Sequence, residues 1–105
     1  MKEITVQELK SKMDNKEDFQ FIDVREPHEA EIATIGAELI PMGEILGQVS
    51  RISRTKPVII HCRSGARSGT IVQALEAQHG FTNLYNLKGG ILAWAREIDP
   101  AVPQY

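Results

Sequence analysis

Short apolar runs alternate along this chain with segments in which apolar residues recur at helical spacing. The apolar runs are typical of β-strands and predict strands at residues 19–24, 37–41, 57–62 and 83–87. The periodic segments predict α-helices at residues 5–13, 43–52, 67–80 and 89–98, and Pro27 marks the start of another short helix. This alternation favours an α/β fold with a mainly parallel sheet covered by helices on both faces.

Local signals bear on several of these elements. Thr5 and Glu8 have the spacing of a capping box at the start of the first helix. Gly47 weakens the helix predicted at residues 43–52, because glycine is a poor helix former. The run at 57–62 is almost continuously apolar, as expected of a strand that is buried on both faces of a parallel sheet.

The composition is that of an ordinary globular protein of 105 residues, with 42% hydrophobic and 25% charged residues. This length suits a single domain over residues 1–105. The net charge of −2 gives no reason to expect a nucleic acid or a membrane as partner. Residues 1–50 carry 5 Lys/Arg and 11 Asp/Glu, whereas residues 51–105 carry 7 Lys/Arg and 3 Asp/Glu. The basic second half suits an anionic ligand, and an uneven but solvated surface charge is an equally good interpretation.

The chain has one cysteine, Cys62. It cannot form an internal disulfide, so the sequence does not indicate an oxidising compartment. The first residues, MKEITVQELK, lack the apolar core of a signal peptide, and no apolar run approaches the roughly 20 residues that cross a bilayer. A cytoplasmic location is therefore expected. The histidines and the cysteine show no metal-ligand spacing, and we expect neither a metal nor another cofactor.

The segment VIIHCRSGARSG, residues 58–69, places Cys62 where a buried strand gives way to a helix. Ligands of parallel α/β sheets bind outside the carboxyl ends of the strands. Gly65 allows a turn with positive φ, so successive N–H groups could surround the sulfur and stabilise a thiolate. A lone cysteine at a strand end is more often a packing residue, but packing requires neither the glycine nor the arginines. We predict Cys62 as the catalytic nucleophile, with a substrate-binding loop of Arg63, Ser64, Gly65, Ala66, Arg67 and Ser68.

Three motifs carry a resemblance to a known family. The segments IDVREPHE, VIIHCRSGARS and NLKGGILAW resemble, in order and spacing, those of the rhodanese homology domain, and the resemblance covers nearly the whole chain. It implies a sheet of about five mainly parallel strands with helices on both faces. It also implies a sulfurtransferase. Its cysteine, here Cys62, would take a sulfane sulfur from thiosulfate or a persulfide, become a persulfide itself and pass the sulfur to a nucleophilic acceptor.

The final part of the chain, NLKGGILAWAREIDPAVPQY, is most similar to rhodanese domains at the carboxyl end of adenylyltransferase–sulfurtransferase fusions. Those domains pass sulfur to the activated C-terminus of a ubiquitin-like sulfur carrier protein. The resemblance therefore implies two kinds of partner. One is a small anionic donor such as thiosulfate or a persulfide, and the other is a sulfur carrier protein.

Two alternative functions stay open. Cysteine-dependent phosphatases place five residues between the cysteine and an arginine, whereas only four separate Cys62 from Arg67. This shorter loop suits a single sulfur atom better than a tetrahedral phosphoryl group, and no aspartate in a separate loop is an obvious general acid. The other alternative is a rhodanese-like binding module without activity. Inactive relatives commonly lose the cysteine, which this chain keeps.

The two arginines of the loop are expected to have unequal roles. Arg63 directly follows the nucleophile and could reach towards an arriving anionic donor, whereas Arg67 could fold back against Asp23 or a neighbouring glutamate. Asp23 and Arg25 end the strand that precedes Pro27. We expect both to brace the loop from behind without taking part in the chemistry. A local Asp–Arg–Glu network on the surface is an equally good interpretation of these two residues.

Two further features of the sequence concern the surroundings of the cysteine. His61 invites comparison with a Cys–His dyad. Neighbouring side chains of a strand point to opposite faces, however, so a structural role is favoured for His61. Gly89 and Gly90 could allow a close backbone approach near the mouth of the site, and Trp94 behind them is predicted to lie in the core.

Overall fold

The computed structural model describes residues 1–105, in which five strands alternate with five α-helices. The strands are β1 (Glu3–Ile4), β2 (Gln20–Asp23), β3 (Glu38–Leu39), β4 (Val58–His61) and β5 (Leu84–Leu87). The helices are α1 (Val6–Asp14), α2 (Pro27–Ile32), α3 (Met42–Ile45), α4 (Ala66–His79) and α5 (Gly90–Glu97), with a 3₁₀ turn at Val49–Arg51. None of the helices has the length and apolar character needed to cross a membrane.

The five strands form one sheet in the order β1-β5-β4-β2-β3, and every neighbouring pair is parallel. This confirms the predicted α/β fold with about five mainly parallel strands. In the register of the sheet, Asp23 of β2 lies beside His61, and Ile60 lies beside Asn86 of β5. The carboxyl ends of these three strands therefore meet at one edge, where Cys62 directly follows β4.

Helices cover both faces of the sheet, each face with its own hydrophobic core. Ile60 and Cys62 belong to one core, together with Leu75 of α4. Ile59 turns to the opposite face, as alternation along a strand requires, and joins the second core with Trp94 of α5. The predicted core position of Trp94 is confirmed. Because β4 is buried on both sides, the chain that leaves its carboxyl end starts from a fixed position.

The predicted ends of the elements differ from the structure most clearly in two places. The helix expected at residues 43–52 stops after Ile45, and the chain resumes only as the 3₁₀ turn, with Gly47 between the two. No signal in the sequence marks β1, because its two residues are too few to show an alternating pattern. By contrast, α1 begins with the expected capping box. The Thr5 hydroxyl accepts from the Glu8 amide at 3.1 Å, and the Glu8 carboxylate accepts from the Thr5 amide at 3.0 Å.

Candidate active site

The loop after β4 turns sharply around the Cys62 sulfur. Gly65 has φ of +100°, a conformation that side chains with a Cβ rarely adopt, and α4 begins at the next residue. This turn brings the first residues of α4 back over the cysteine. Cys62 is 1% exposed, so its sulfur lies at the floor of the loop and not on the protein surface. The turn of the loop and the start of α4 therefore lie against the thiol, with Gly65 and Ser68 in contact with its sulfur.

Several hydrogen-bond donors converge on the sulfur. The Gly65 amide donates to Sγ at 3.1 Å, and the Ser68 hydroxyl lies 3.3 Å from it. Burial raises the pKa of the Cys62 thiol. The bonds from the Ser68 hydroxyl and from the amides of Ser68, Gly65 and Ser64 outweigh that burial and hold the pKa below its ordinary value. The direction agrees with the expectation of an acidic thiol. These donors stabilise a negative charge on the sulfur.

Asn86, the third residue of β5, supports the loop from behind. Asn86 is 3% exposed. Nδ2 donates to the Gly65 carbonyl at 3.0 Å, and Oδ1 accepts from the Ser68 hydroxyl at 2.5 Å. One amide group thus holds both the turn of the loop and the hydroxyl that faces the sulfur. Asn86 belongs to the NLKGG motif, but the sequence assigns it no role.

The double glycine at the start of α5, Gly89 as its N-cap and Gly90 as its first residue, allows this helix to meet the loop through backbone atoms. The amides of Ile91 and Leu92 donate to the carbonyls of Cys62 and Arg63 at 3.0 and 3.1 Å. A Cβ at Gly90 would lie 2.6 and 2.5 Å from these two carbonyl oxygens, closer than atoms can approach. The expected close approach near the site is therefore present. It also satisfies two amides at the start of α5 that have no partner inside the helix.

An ion pair closes the outer side of the loop. Arg67 donates to both carboxylate oxygens of Glu29, at 2.7 and 2.8 Å. The bond from Arg67, together with one from the Tyr105 hydroxyl at 2.7 Å, holds the pKa of the Glu29 carboxyl well below its usual range, although burial opposes this shift. Of the two partners expected for Arg67, the neighbouring glutamate is therefore found and Asp23 is not.

Arg63 points outward and contacts the last residue, Tyr105. Its guanidinium donates through Nε and Nη2 to the backbone oxygen of Tyr105, at 2.5 Å from Nε, and lies 5.2 Å from the centre of the tyrosine ring. Arg63 is exposed. The positive charge that we expect to meet an anionic donor thus already has an oxygen beside it. Tyr105 was not predicted as a site residue, since nothing in its local sequence shows that the chain end returns to the loop.

Asp23 and Arg25 form a buried pair, and the expectation that Asp23 contacts the loop is wrong. Its carboxylate accepts from the Arg25 amide at 2.9 Å and from Nη2 at 2.8 Å, and no hydrogen bond joins it to residues 63–68. The Arg25 amide and guanidinium supply the donors to this carboxylate. Arg25 reaches the loop only indirectly, because its Nη1 donates to the Tyr105 hydroxyl at 2.9 Å and that hydroxyl bonds with Glu29. The alternative of an exposed surface network also fails, because both side chains are almost fully buried.

His61 does not form a dyad with the thiol. Its Nδ1 lies 3.2 Å from the Cys62 carbonyl oxygen, and its ring packs against Phe21 at 5.1 Å between centres, on the face opposite the sulfur. Burial lowers the pKa of His61, opposed in part by the nearby Asp23 carboxylate. A neutral structural histidine fits this position, as the alternation along β4 suggests.

Comparisons with known proteins agree with the geometry. The family model of the rhodanese-like domain matches residues 5–97, and the chain therefore belongs to this family. It is 39% identical over 101 residues to a protein of Allochromatium vinosum named sulfurtransferase, which covers 95% of this chain and 94% of that protein. A solved structure of a rhodanese-like domain protein from Staphylococcus aureus, 33% identical, has a TM-score of 0.83 and covers 100% of this chain and 99% of that one.

Other relatives are longer than this chain. A probable adenylyltransferase/sulfurtransferase of Mycobacterium tuberculosis, MoeZ, is 34% identical over 105 residues, which cover 97% of this chain and 26% of that protein. Among three longer curated relatives, the chain spans 38%, 63% and 26% of their lengths. The similarity to such proteins therefore concerns one of their parts. It agrees with the predicted resemblance to the rhodanese domains of adenylyltransferase–sulfurtransferase fusions.

Proposed function

We propose that this protein is a sulfurtransferase that moves a sulfane sulfur from thiosulfate or a persulfide donor, through a persulfide on Cys62, to a thiophilic or protein acceptor. The observation that carries this proposal is the convergence of the Gly65 amide and the Ser68 hydroxyl on Sγ, at 3.1 and 3.3 Å. Relatives named as sulfurtransferases support a rhodanese-type activity in general.

Sulfur transfer proceeds through two nucleophilic displacements at sulfur. The Cys62 thiolate attacks the sulfane sulfur of the donor, a new S–S bond forms, and the old bond breaks with its electron pair leaving on sulfite or on the donor thiolate. A nucleophilic acceptor then attacks the outer sulfur and returns the thiolate. The loop amides stabilise the negative charge on the sulfur before and after each step. The cycle needs no cofactor and no external oxidant.

The dimensions of the site favour a small reacting atom. Cys62 is 1% exposed at the floor of a loop with four residues before Arg67. Two surface cavities of about 320 and 600 Å³ are present, and neither is lined by Cys62 or residues 63–68. A single sulfur atom needs little room inside such a loop, whereas a phosphoryl group must fit with three oxygens. This supports sulfur transfer over the phosphatase alternative.

The partners follow from this proposal. The exposed Arg63 offers a positive charge to an anionic donor such as thiosulfate. The name of the mycobacterial relative joins an adenylyltransferase with a sulfurtransferase, which makes a ubiquitin-like sulfur carrier protein a suitable acceptor. We propose no nucleic acid or membrane partner, and a cytoplasmic location stays a prediction.

The test compares sulfur transfer with phosphate ester hydrolysis by the same proteins. Wild-type protein and Cys62→Ser are assayed for transfer from thiosulfate to cyanide and for hydrolysis of an aryl phosphate. Transfer should be measurable only with Cys62, and hydrolysis should be negligible. A variant with one glycine inserted after Gly65 should lose transfer, because the amides move away from the outer sulfur. Cys62-dependent aryl phosphatase turnover by the wild-type protein would instead support the phosphatase alternative, and neither activity would support a binding module.

A further inference from the structure

The Ser68 hydroxyl has two acceptors beside it. Its oxygen lies 3.3 Å from the Cys62 sulfur and 2.5 Å from Oδ1 of Asn86, and Ser68 is 0% exposed. A serine hydroxyl carries one proton and can donate to one acceptor at a time. Because Ser68 is fully buried, bulk solvent does not supply another donor to it. The two acceptors therefore compete for the same proton.

The orientation of the Asn86 amide is fixed by its other neighbour. Nδ2 donates to the Gly65 carbonyl oxygen at 3.0 Å. If the amide were turned over, Oδ1 would face this carbonyl oxygen, and two acceptors would meet without a proton between them. Hence Oδ1 faces Ser68 whatever the state of the cysteine. Asn86 cannot withdraw from the competition without breaking its bond to the loop.

From this arrangement we propose that Asn86 is a positioning residue that competes with the Cys62 sulfur for the single hydroxyl proton of Ser68. While Cys62 is a thiol, its proton faces the Ser68 oxygen, and the Ser68 proton goes to Asn86. The Cys62 thiol proton, the Ser68 hydroxyl proton and Oδ1 of Asn86 then each have a partner. When Cys62 becomes a thiolate, the Ser68 hydroxyl turns towards the sulfur and leaves Oδ1 of Asn86 buried without a donor, which costs free energy.

The consequence concerns the reactivity of the sulfur. Loop amides alone would hold the thiolate strongly, and the nucleophilicity of a thiolate falls as its pKa falls. By competing for the Ser68 proton, Asn86 keeps the sulfur more basic and more nucleophilic than the loop amides and an uncontested Ser68 hydroxyl together would leave it. This inference rests on the proposed role of Cys62 as a nucleophile. Its test measures the acidity of the thiol. The competition can therefore be disproved while sulfur transfer is confirmed, and sulfur transfer can be disproved while the competition is confirmed.

A double-mutant cycle isolates the competition. The pKa of Cys62 is measured from the pH dependence of alkylation in wild type, Asn86→Ala, Ser68→Ala and the double variant. Loss of the bond to Gly65 affects both backgrounds equally, whereas loss of competition requires Ser68. The charged side chains of the loop, Arg63 and Arg67, and His61 on the other face of β4 are present in all four proteins.

We expect the change caused by Asn86→Ala to be more negative with Ser68 present than in the Ser68→Ala background, by about one pKa unit, or roughly tenfold in the ratio of thiolate to thiol. Equal changes in the two backgrounds, or a difference of opposite sign, would overturn the proposal. Thermal melts of the four proteins establish that each is folded under the conditions of the titration.

A second measurement leaves Asn86 in place. The side-chain carbonyl ¹³C shift of Asn86 is followed by NMR while Cys62 titrates. It should show a step at the Cys62 pKa in wild type, since Oδ1 loses its donor as the thiolate forms. The step should be much smaller in Ser68→Ala, where only the charge of the sulfur acts through space. A step of the same size in both proteins, or none in wild type, contradicts the competition.

Discussion

The loop around Cys62 has two sides of unlike construction. The inner wall, which holds the sulfur, consists of backbone groups and short side chains, and its members are Gly65, Ser68, Asn86 and Gly90. The outer rim consists of long side chains joined by hydrogen bonds, and its members are Arg63, Arg67, Glu29 and Tyr105. The inner wall depends on close contacts between backbone groups, whereas the outer rim depends mainly on charged side chains.

This difference assigns separate tasks to the two sides. Contacts of the inner wall act on the sulfur itself, so we expect changes there to affect transfer from every donor. Contacts of the outer rim act on the stability of the loop or on an approaching anion. Where a rim charge is exposed, solvent screens it and its effect is small.

The largest expected effect comes from Gly90→Ala in the inner wall. The new Cβ would lie 2.6 and 2.5 Å from the carbonyl oxygens of Cys62 and Arg63, which are backbone atoms that cannot turn away. We expect a loss of stability of about 1–3 kcal/mol or more. Displacement of the loop should also lower sulfur transfer by roughly 100-fold with every donor. Urea unfolding and donor kinetics measure the two effects.

Gly43→Ala is the matched control for this substitution. Gly43 is exposed in α3, and apart from its chain neighbours and the backbone of its own helix no atom lies within 4 Å of an added Cβ. This variant should keep full activity and be no less stable, because alanine is the better helix former. If Gly90→Ala behaved like Gly43→Ala, the close contact between α5 and the loop would not govern the position of the sulfur.

In the outer rim, Arg67→Ala should have the next largest effect. The substitution removes the guanidinium that donates two hydrogen bonds to Glu29, and the Glu29 side chain is only 9% exposed. Because Arg67 itself is 34% exposed, we expect the free energy of unfolding to fall by only about 1–2 kcal/mol. Transfer should decline with thiosulfate and with a persulfide donor alike, since the loop loses its brace.

The exposed pair of Arg51 and Glu38, at 3.0 Å, provides the comparison for this effect. Arg51→Ala should cost less than about 1 kcal/mol. Chemical unfolding of both variants in the same buffer measures the difference. An equal cost for the two substitutions would mean that the pair of Arg67 and Glu29 is no stronger than an ordinary surface ion pair.

The pH dependence of the free energy of unfolding in acid should also depend on the ion pair of Arg67 and Glu29. The folded-state pKa of Glu29 lies below its unfolded value, mainly because of the bond from Arg67. The stabilisation is therefore present above the unfolded pKa of about 4.3 and is lost as pH falls below it. Glu29→Gln should make the free energy of unfolding less dependent on pH between about pH 4.5 and 2. Glu38→Gln serves as the exposed control. An identical pH dependence in wild type and Glu29→Gln would show that ionisation of Glu29 does not contribute to stability.

The smallest effect is expected from Arg63→Ala. Its side chain is exposed, and its partner is the backbone oxygen of Tyr105. We expect no measurable change in thermal stability and a rise of up to roughly fivefold in the KM for thiosulfate, as one exposed charge is worth at most about 1 kcal/mol. The kinetics of a neutral persulfide donor should be unchanged. Early melting of this variant, with an unchanged KM, would reverse the roles assigned to Arg63 and Arg67.

The sequence is sufficient for much of the fold because its signals are local. The apolar run before Cys62, the period of α4 and the capping box at Thr5 each lie within one element. The helix predicted at residues 43–52 is interrupted because Gly47, a poor helix former, lies between α3 and the 3₁₀ turn, although the apolar residues have helical spacing. β1 escapes prediction because Glu3 and Ile4 pair with β5 and not with a sequence neighbour, so only the folded chain defines them.

The inner wall and the outer rim also differ in how far apart their members lie in the sequence. Cys62, Gly65 and Ser68 lie within seven residues of one another, and their sequence alone suggests a loop that binds an anion. Glu29 and Tyr105 lie 38 and 42 residues from their arginine partners, so a choice between Asp23 and a glutamate for Arg67 requires the structure.

The most direct test of the central proposal is the mass of the protein after reaction with thiosulfate. Wild-type protein should gain one sulfur, about 32 Da, and lose it on addition of cyanide or excess thiol. Cys62→Ser should gain nothing, because Cys62 is the only thiol in the chain. A gain that persists in Cys62→Ser, or none in wild type with either thiosulfate or a persulfide donor, would contradict the proposal that Cys62 carries the sulfur.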